Sequence, residues 1–286
     1  MQKEYAYILA GSEFHDAIRN AYPDIDSKVT SISFEYWDSV YSDDLINYYG
    51  RVNVSLSGNV AAYVSPDESE ILVVSENEIR SVDCQMMFYR MSNLTSVKFN
   101  NFNTDECASM RRMFHGCTSL PRIDLYGMSS VACSDYTEMF NGCSSCLSID
   151  MSTLGYLEYR GQSEILTTNM FNGLESLRRL SVSKQFAFKQ DMGLKNPNPA
   201  VVFGSDGLWH CPKIGKSFDL TNGQDCDDLS EVRDNVTYYA CDVSSNEKDV
   251  SVITLGALKS AFSESASRTA KSLRQLGLVS LIGKAR

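Results

Sequence analysis

Apolar residues recur at fixed spacing through the middle of the chain. A Met-Phe pair occurs four times, beginning at Met87, Met113, Met139 and Met170, so the intervals are 26, 26 and 31 residues. Seven, ten and twelve residues after each methionine the chain again holds apolar side chains: Leu94, Leu120, Cys146 and Leu177; Val97, Ile123, Ile149 and Leu180; Phe99, Leu125, Met151 and Val182. A period of about 20–29 residues is typical of leucine-rich-type solenoids.

Polar residues alternate with the later apolar positions of each unit. Nine and eleven residues after the methionine stand Ser96, Arg122, Ser148 and Arg179, and Lys98, Asp124, Asp150 and Ser181. Because side chains alternate along a strand, this pattern predicts a short strand with an apolar face and a solvent-facing polar face. A glycine three residues after the methionine, at Gly116, Gly142 and Gly173, predicts a helical turn closed by a left-handed glycine.

The repeats resemble the BspA-like leucine-rich repeat family of bacterial surface proteins. The resemblance lies in "MFYRMSNLTSVKFNNFNTDECASM", "MFHGCTSLPRIDLYGMSSVACSDYTE", "MFNGCSSCLSIDMSTL" and "MFNGLESLRRLSVSKQFAF". It extends to a β-rich segment before the repeats and a Trp-containing segment after them, from about Arg51 to Cys241. The resemblance implies an adhesion or binding role.

Together these patterns predict an α+β protein built around a short leucine-rich-repeat-like solenoid of about four units. We expect an N-terminal α+β cap over residues 1–80, repeats over 81–190, a β-rich C-terminal cap over 191–245, and a linker with a C-terminal amphipathic helix over 246–286. In the N-terminal cap, Ser12 is expected to cap a helix that Pro23 stops. Strands are expected in "KVTSISFEYW", "NVSLSGNVAAYV" and "EILVVS".

The C-terminal segment carries apolar residues at intervals of three and four, which predicts the amphipathic helix. This helix could fold back on the body, bind a partner, or associate with a second copy through Leu258, Phe262, Leu273 and Leu276. Six basic residues and one acidic residue from Ser251 to Arg286 give this segment a charge of +5, against −10 for the whole chain. The net charge of −10 argues against nucleic-acid binding. The basic tail suggests docking on the acidic body, on a second copy of the chain, or on another acidic partner.

The chain begins without a basic start and an apolar run, and nowhere reaches 18 consecutive apolar residues. We therefore expect neither a signal peptide nor a membrane span, and a cytoplasmic protein with reduced thiols. A cell-surface location is expected instead if a signal was removed. Cys117 and Cys143 stand at positions where other units have Met91 and Leu174, so they are expected to be core residues, although a disulfide between them is geometrically conceivable.

Candidate catalytic motifs are weak. Gly215-Lys216-Ser217 lacks the earlier glycine of a phosphate-binding loop, where His210 stands instead. His210 and Cys211 are adjacent, and sequence neighbours rarely meet as base and nucleophile. Asp124 and Asp150 could pair on neighbouring strands, but a solvated polar ladder is the more common arrangement. We therefore expect no enzymatic activity, no cofactor and no metal site.

The function that the sequence favours is protein binding through the polar strand face. The residues expected to line it are Ser96, Lys98, Arg122, Asp124, Tyr126, Asp150 and Arg179, because mixed charge with arginine and tyrosine suits a protein epitope better than a sugar or nucleic acid. Two alternatives remain open at this point. The chain could be a structural homo-oligomeric component of a virion or appendage, assembled through the C-terminal helix, or an intracellular inhibitor carried by a mobile element.

Overall fold

A computed structural model describes most of the first 240 residues. The described residues are 5–47, 49–129, 131–154, 165–183, 186, 188, 190–200, 202, 205–212, 216–221 and 236–240. All of them belong to one compact unit, Met1–Asp242. The predicted C-terminal helix, with Leu258, Phe262, Leu273 and Leu276, lies outside the described residues.

Strands dominate the described part of the chain. The fourteen strands are β1 (Tyr5–Tyr7), β2 (Ser31–Tyr36), β3 (Gly50–Asn53), β4 (Ala61–Val64), β5 (Glu70–Ser75), β6 (Glu78–Arg80), β7 (Ser96–Phe99), β8 (Phe102–Asn103), β9 (Arg122–Asp124), β10 (Ser148–Met151), β11 (Arg179–Val182), β12 (Trp209–Cys211), β13 (Lys216–Phe218) and β14 (Val236–Tyr239). The helices are α1 (Gly11–Ala21), α2 (Ile25–Lys28) and α3 (Asp43–Ile46), and a 3-10 turn spans Gln190–Met192.

Helix α1 packs its apolar stripe into the core. Phe14 and Ile18, four residues apart, are fully buried. The helix ends at Ala21, before Pro23, as expected from a residue that disfavours helix. The prediction that Ser12 caps it is wrong, because Ala10 is the N-cap residue and makes no side-chain cap hydrogen bond.

The predicted N-terminal strands pair into a five-stranded sheet in the order β3-β4-β5-β2-β7. One face, including Ile32 and Phe34 of β2, packs into the main core. On the other face, Tyr63 of β4 and Val74 of β5 form a small separate cluster with Val40 and Leu45. Over β2 this second face carries Ser31 and Ser33, the polar half of an alternating strand.

The remaining strands form two further sheets. A three-stranded parallel sheet has the order β1-β6-β8, and a six-stranded sheet has the order β13-β12-β14-β11-β10-β9. In the six-stranded sheet, β9, β10 and β11 are parallel to one another, and β14 is antiparallel to β11. The apolar positions of these strands, such as Ile123, Ile149 and Leu180, are buried.

The predicted α+β leucine-rich-repeat-like solenoid is wrong. The described residues form three separate sheets with few helices, and the strands of the four repeats do not make one continuous sheet. The strand of the first repeat, β7, pairs with β2, while the strands of the other three belong to the six-stranded sheet. A solenoid sheet requires each repeat strand to pair with the next. Here β7 pairs with β2 on one side, and on its other side it lies close to β9 without forming a ladder with it.

The Met-Phe segments form tight turns that stack from unit to unit. Phe114 donates its backbone N–H to Met139 (2.9 Å), and Phe140 donates to Met170 (3.0 Å). The rings of Phe88, Phe114, Phe140 and Phe171 stack with centroid distances of 5.3, 6.0 and 5.8 Å. The predicted helical turn is instead a pair of turns, because the residue before each Met-Phe pair also has a positive φ: Met86, Arg112, Glu138 and Asn169.

Candidate protein-binding face

A row of polar side chains crosses the second repeat strand and its neighbours in register. Arg122 of β9 lies opposite Ser148 of β10, which lies opposite Arg179 of β11, which lies opposite Tyr239 of β14. Residues in register on neighbouring strands point to the same face of a sheet. Four strands at about 4.8 Å spacing make this row about 14 Å wide.

A second row runs parallel to the first, two residues further along β9, β10 and β11 and two residues earlier on the antiparallel strand β14. It contains Asp124, Asp150, Ser181 and Thr237 in register. The hydroxyls of Ser181 and Thr237 form a hydrogen bond of 3.0 Å. We call the two rows together the polar face; its eight residues are Arg122, Ser148, Arg179, Tyr239, Asp124, Asp150, Ser181 and Thr237.

The charges on the polar face are paired with one another. Arg122 Nη2 lies 3.1 Å from Asp124 Oδ2, and Arg179 Nη2 lies 3.9 Å from Asp150 Oδ2. Asp150 also accepts a hydrogen bond from the Ser152 hydroxyl at 2.7 Å. The adjacent carboxylates of Asp124 and Asp150 are therefore each compensated by an arginine, and the face carries two positive and two negative side chains.

Exposure on the polar face differs from the predicted pattern. Ser148 and Ser181 were expected to face solvent but are only 8% and 3% exposed. Each is a small side chain between longer ones, Ser148 between Arg122 and Arg179. The side chains of Arg122 and Asp124 are 59% and 45% exposed, so the accessible charge is concentrated at the β9 edge.

The predicted binding residues are divided between two sheets. Arg122, Asp124, Asp150 and Arg179 lie together on the polar face, and Tyr126, 73% exposed, follows β9 and donates its backbone N–H to Asp124. Ser96 and Lys98 lie instead on β7 of the five-stranded sheet. Strands β7 and β9 approach within 8 Å between Cα atoms but are not hydrogen-bonded to each other.

Ser96 and Lys98 line a separate cleft of about 290 Å³ on the five-stranded sheet. Ser31, Ser33, Tyr49 and Leu72 also line it. Within the described part of the chain, Lys98 forms no ion pair, unlike Arg122 and Arg179. The structure thus brings four predicted residues together on the polar face and places the two on β7 in this cleft.

Sequence reasoning missed the part of the polar face that comes from the C-terminal segment. Thr237 and Tyr239 join it because β14 inserts antiparallel beside β11. The row continues onto β12, where His210 lies opposite Tyr239, and onto β13, where Ser217 lies opposite His210. The resemblance to the BspA-like repeats implied a strand in "VTYYA", but a resemblance of this kind does not identify the strand's partner.

The cysteines of the repeats lie in the core. The thiols of Cys117 and Cys143 are free, and each donates to a backbone carbonyl of the preceding unit, Phe88 and Phe114, at 3.1 Å. Burial raises the pKa of both thiols well above its usual value, and it raises the pKa of Cys146 to about 12. These thiols stay protonated at neutral pH and are poor nucleophiles.

Among the described residues, no three histidine, cysteine, aspartate or glutamate side chains converge as metal ligands. The helices in the described ranges are all too short or too polar to span a membrane.

No known protein family, no curated protein and no solved structure matches this chain significantly. The resemblance to the BspA-like repeats and the cytoplasmic location therefore stay predictions.

Proposed function

We propose that this protein binds another protein through the polar face. The single observation that supports this proposal most is the register of Arg122, Arg179 and Tyr239 on neighbouring strands, together with the aspartates of the second row. Arginine and tyrosine are enriched at protein–protein interfaces and at their energetically dominant positions. A rigid sheet holds these side chains in a fixed arrangement, which reduces the entropy lost on binding.

The charges of the polar face indicate the chemistry of the partner. The whole chain has a net charge of −10, yet the polar face carries equal numbers of positive and negative side chains. A polyanion would meet repulsion from the aspartates, and a polycation would meet repulsion from the arginines. We propose a folded protein whose contact surface presents both acidic and basic side chains, so that it can exchange ion pairs with Arg122 and Asp124.

The resemblance of the repeats to an adhesion family agrees with a binding role, and it stays a prediction. The alternative of a homo-oligomer assembled through Leu258, Phe262, Leu273 and Leu276 concerns residues outside the described ranges. The alternative of an intracellular inhibitor is a special case of protein binding. Nothing in the described residues favours either alternative over the proposed binding through the polar face.

Charge reversal on the polar face tests the proposal. We expect the double variant Arg122→Glu with Arg179→Glu to lose the proteins captured by the wild-type chain from its native cells, because four negative carboxylates would then replace two ion pairs. The measurement is quantitative affinity capture followed by mass spectrometry.

The matched control is Arg90→Glu with Lys195→Glu, which makes the same change in net charge at exposed positions outside the polar face. Captured proteins that disappear with both double variants would indicate a non-specific charge effect. Capture that survives reversal of Arg122 and Arg179 would show that the polar face is not the binding surface.

A further inference from the structure

Three side chains of the C-terminal hairpin form a hydrogen-bonded chain beside the polar face. His210 Nε2 lies 2.9 Å from Asp206 Oδ1, and His210 Nδ1 lies 2.9 Å from Ser217 Oγ. His210 and Ser217 are directly opposite each other on the antiparallel strands β12 and β13. The serine hydroxyl, the imidazole and the carboxylate therefore stand in the order that an activated serine nucleophile requires.

The carboxylate fixes which nitrogen of His210 can act as a base. The hydrogen bond from His210 holds the pKa of Asp206 below its usual range, so this carboxylate is ionised and can only accept hydrogen bonds. His210 Nε2 must therefore carry a proton and donate it to Asp206. In the neutral imidazole, Nδ1 then has a free lone pair, and the Ser217 hydroxyl donates to it.

The three groups differ in their access to solvent. His210 is 9% exposed, whereas Ser217 is exposed and the Asp206 side chain is 55% exposed. A buried base next to an accessible hydroxyl is the arrangement in which a substrate can reach the nucleophile while the base keeps its orientation. The rigid antiparallel pair supplies that orientation, because both side chains belong to strands.

Among the described residues, strand β13 is the edge of the six-stranded sheet. In an edge strand, every second backbone N–H is directed away from its one neighbour. Backbone N–H groups of this kind are the usual donors to the oxyanion that forms when a serine attacks a carbonyl. The outward N–H groups of β13 are the candidate donors for that oxyanion.

We propose that Ser217, His210 and Asp206 form a hydrolytic site for small carboxylic esters with a good leaving group, such as aryl acetates. We infer activated esters because the site is open, and a phenolate leaves with little assistance from an acid. This inference departs from the expectation, drawn from the sequence, that the chain is not an enzyme, and it is independent of the proposed binding to a protein.

The reaction proceeds in two balanced steps. Ser217 Oγ attacks the acyl carbon while its proton passes to His210 Nδ1; the bond from the acyl carbon to the alcohol oxygen breaks, and that oxygen takes the proton from Nδ1. Water then attacks the acyl-serine, again giving a proton to Nδ1. The acid leaves, and Ser217 Oγ recovers its proton.

Labelling with a fluorophosphonate probe tests the proposal on the full-length chain. We expect mass spectrometry of the digested protein to find the probe on Ser217, and aryl acetate hydrolysis to vanish in Ser217→Ala. Removal of a general base typically costs about 100-fold or more in rate, so His210→Gln should slow labelling by that factor. Because His210 is buried, Asp206→Asn at an exposed position provides a second variant, and it should slow labelling by about 10-fold or more through loss of the oriented imidazole.

Ser33→Ala is the matched control, since Ser33 is a strand hydroxyl without a neighbouring histidine in the described residues, and it should leave labelling unchanged. The proposal would be overturned if Ser217 stayed unlabelled. It would also be overturned if Asp206→Asn, or a folded His210→Gln, were labelled as fast as the wild type. The Arg122→Glu, Arg179→Glu variant should be labelled like the wild type, which separates this test from that of the proposed function.

Discussion

The repeated units have a turn side, formed by the Met-Phe turns, and a strand side, formed by β7, β9, β10 and β11. On the turn side the same residue type occurs at the equivalent position of every unit, whereas on the strand side the residue type changes. Phe88, Phe114, Phe140 and Phe171 are all fully or almost fully buried and stack on one another. The equivalent first-row positions of the strands hold Ser96, Arg122, Ser148 and Arg179. The turn side is thus uniform in sequence, and the strand side is variable.

The two sides also differ in how neighbouring units are connected. On the turn side, the ion pair between Arg112 and Glu138 joins one unit to the next at 2.6 Å. On the strand side, the pair between Arg122 and Asp124 lies within a single strand, and the pair that joins two units, Arg179 with Asp150, is longer at 3.9 Å. The difference indicates that stability depends mainly on the turn side. The strand side is then free to vary, as the proposed binding role requires.

The largest effect is expected from the stacked phenylalanines. Phe114→Ala should lower the free energy of unfolding by about 3–5 kcal/mol, because it leaves a cavity between Phe88 and Phe140. Tyr126→Ala on the strand side, which is 73% exposed, should change it by less than about 0.5 kcal/mol. Urea denaturation of both variants measures the two values. Equal losses of unfolding free energy in the two variants would contradict the proposal that stability depends mainly on the turn side.

A glycine on the turn side should tolerate a methyl group less than a glycine outside the repeats. Gly173 and Gly58 both have a positive φ, at 76° and 75°, so alanine costs about 1–2 kcal/mol at each. A Cβ on Gly173 would also lie 3.1 Å from the backbone of Gly142, whereas nothing lies within 4 Å at Gly58. Gly173→Ala should therefore lower the free energy of unfolding by about 1 kcal/mol more than Gly58→Ala does. Thermal unfolding of the pair tests this, and equal midpoints would mean that the turns do not pack closely.

The ion pair between units should contribute a smaller, pH-dependent amount. The hydrogen bond from Arg112 holds the pKa of Glu138 below its usual range. A lowered carboxyl pKa stabilises the fold above the unfolded value of about 4.3, and this stabilisation is lost as the pH falls through the folded value. Glu138→Gln should cost about 1 kcal/mol at neutral pH and nothing in strong acid.

Asp124→Asn provides the comparison on the strand side. Its carboxylate is 45% exposed and pairs within its own strand, so the substitution should leave the unfolding free energy unchanged within error at neutral pH. A pH-independent loss in Glu138→Gln would instead indicate that the side chain acts through packing.

The smallest effect is expected from thiol reagents on the folded protein. Cys117 and Cys143 lie under the turns and are fully buried, and their raised pKa keeps them protonated. Alkylation at neutral pH should leave both unmodified until urea unfolds the chain, as peptide mass spectrometry can show. Rapid labelling of either residue in the folded protein would contradict the packing of the turn side.

The spacing of the repeats was enough to predict the core of the later units. Leu120, Ile149 and Leu180 occupy predicted apolar offsets and are buried, and β9, β10 and β11 form at the predicted positions. This succeeds because burial and strand formation depend on local alternation, which the sequence displays directly.

The partners of the strands could not be predicted in the same way. The pairing of β7 with β2 and of β14 with β11 joins segments that are far apart in sequence. Such pairing depends on competition between edges in the folded chain. For the same reason, the contact of His210 with Ser217 was not apparent, although both residues were considered separately in the sequence. The solenoid was predicted wrongly because local repetition does not determine which edge each strand meets.

A photo-crosslinking amino acid tests most directly the claim that the strand side recognises a protein. It would be placed at Tyr126, beside the polar face, and at Leu56, which is 96% exposed and lies outside the repeats. We expect irradiation in native cells to give an adduct of defined mass at position 126, none at position 56, and none at 126 when Arg122 and Arg179 are replaced by glutamate. Equal crosslinking at both positions, or an adduct at 126 that survives charge reversal, would contradict it.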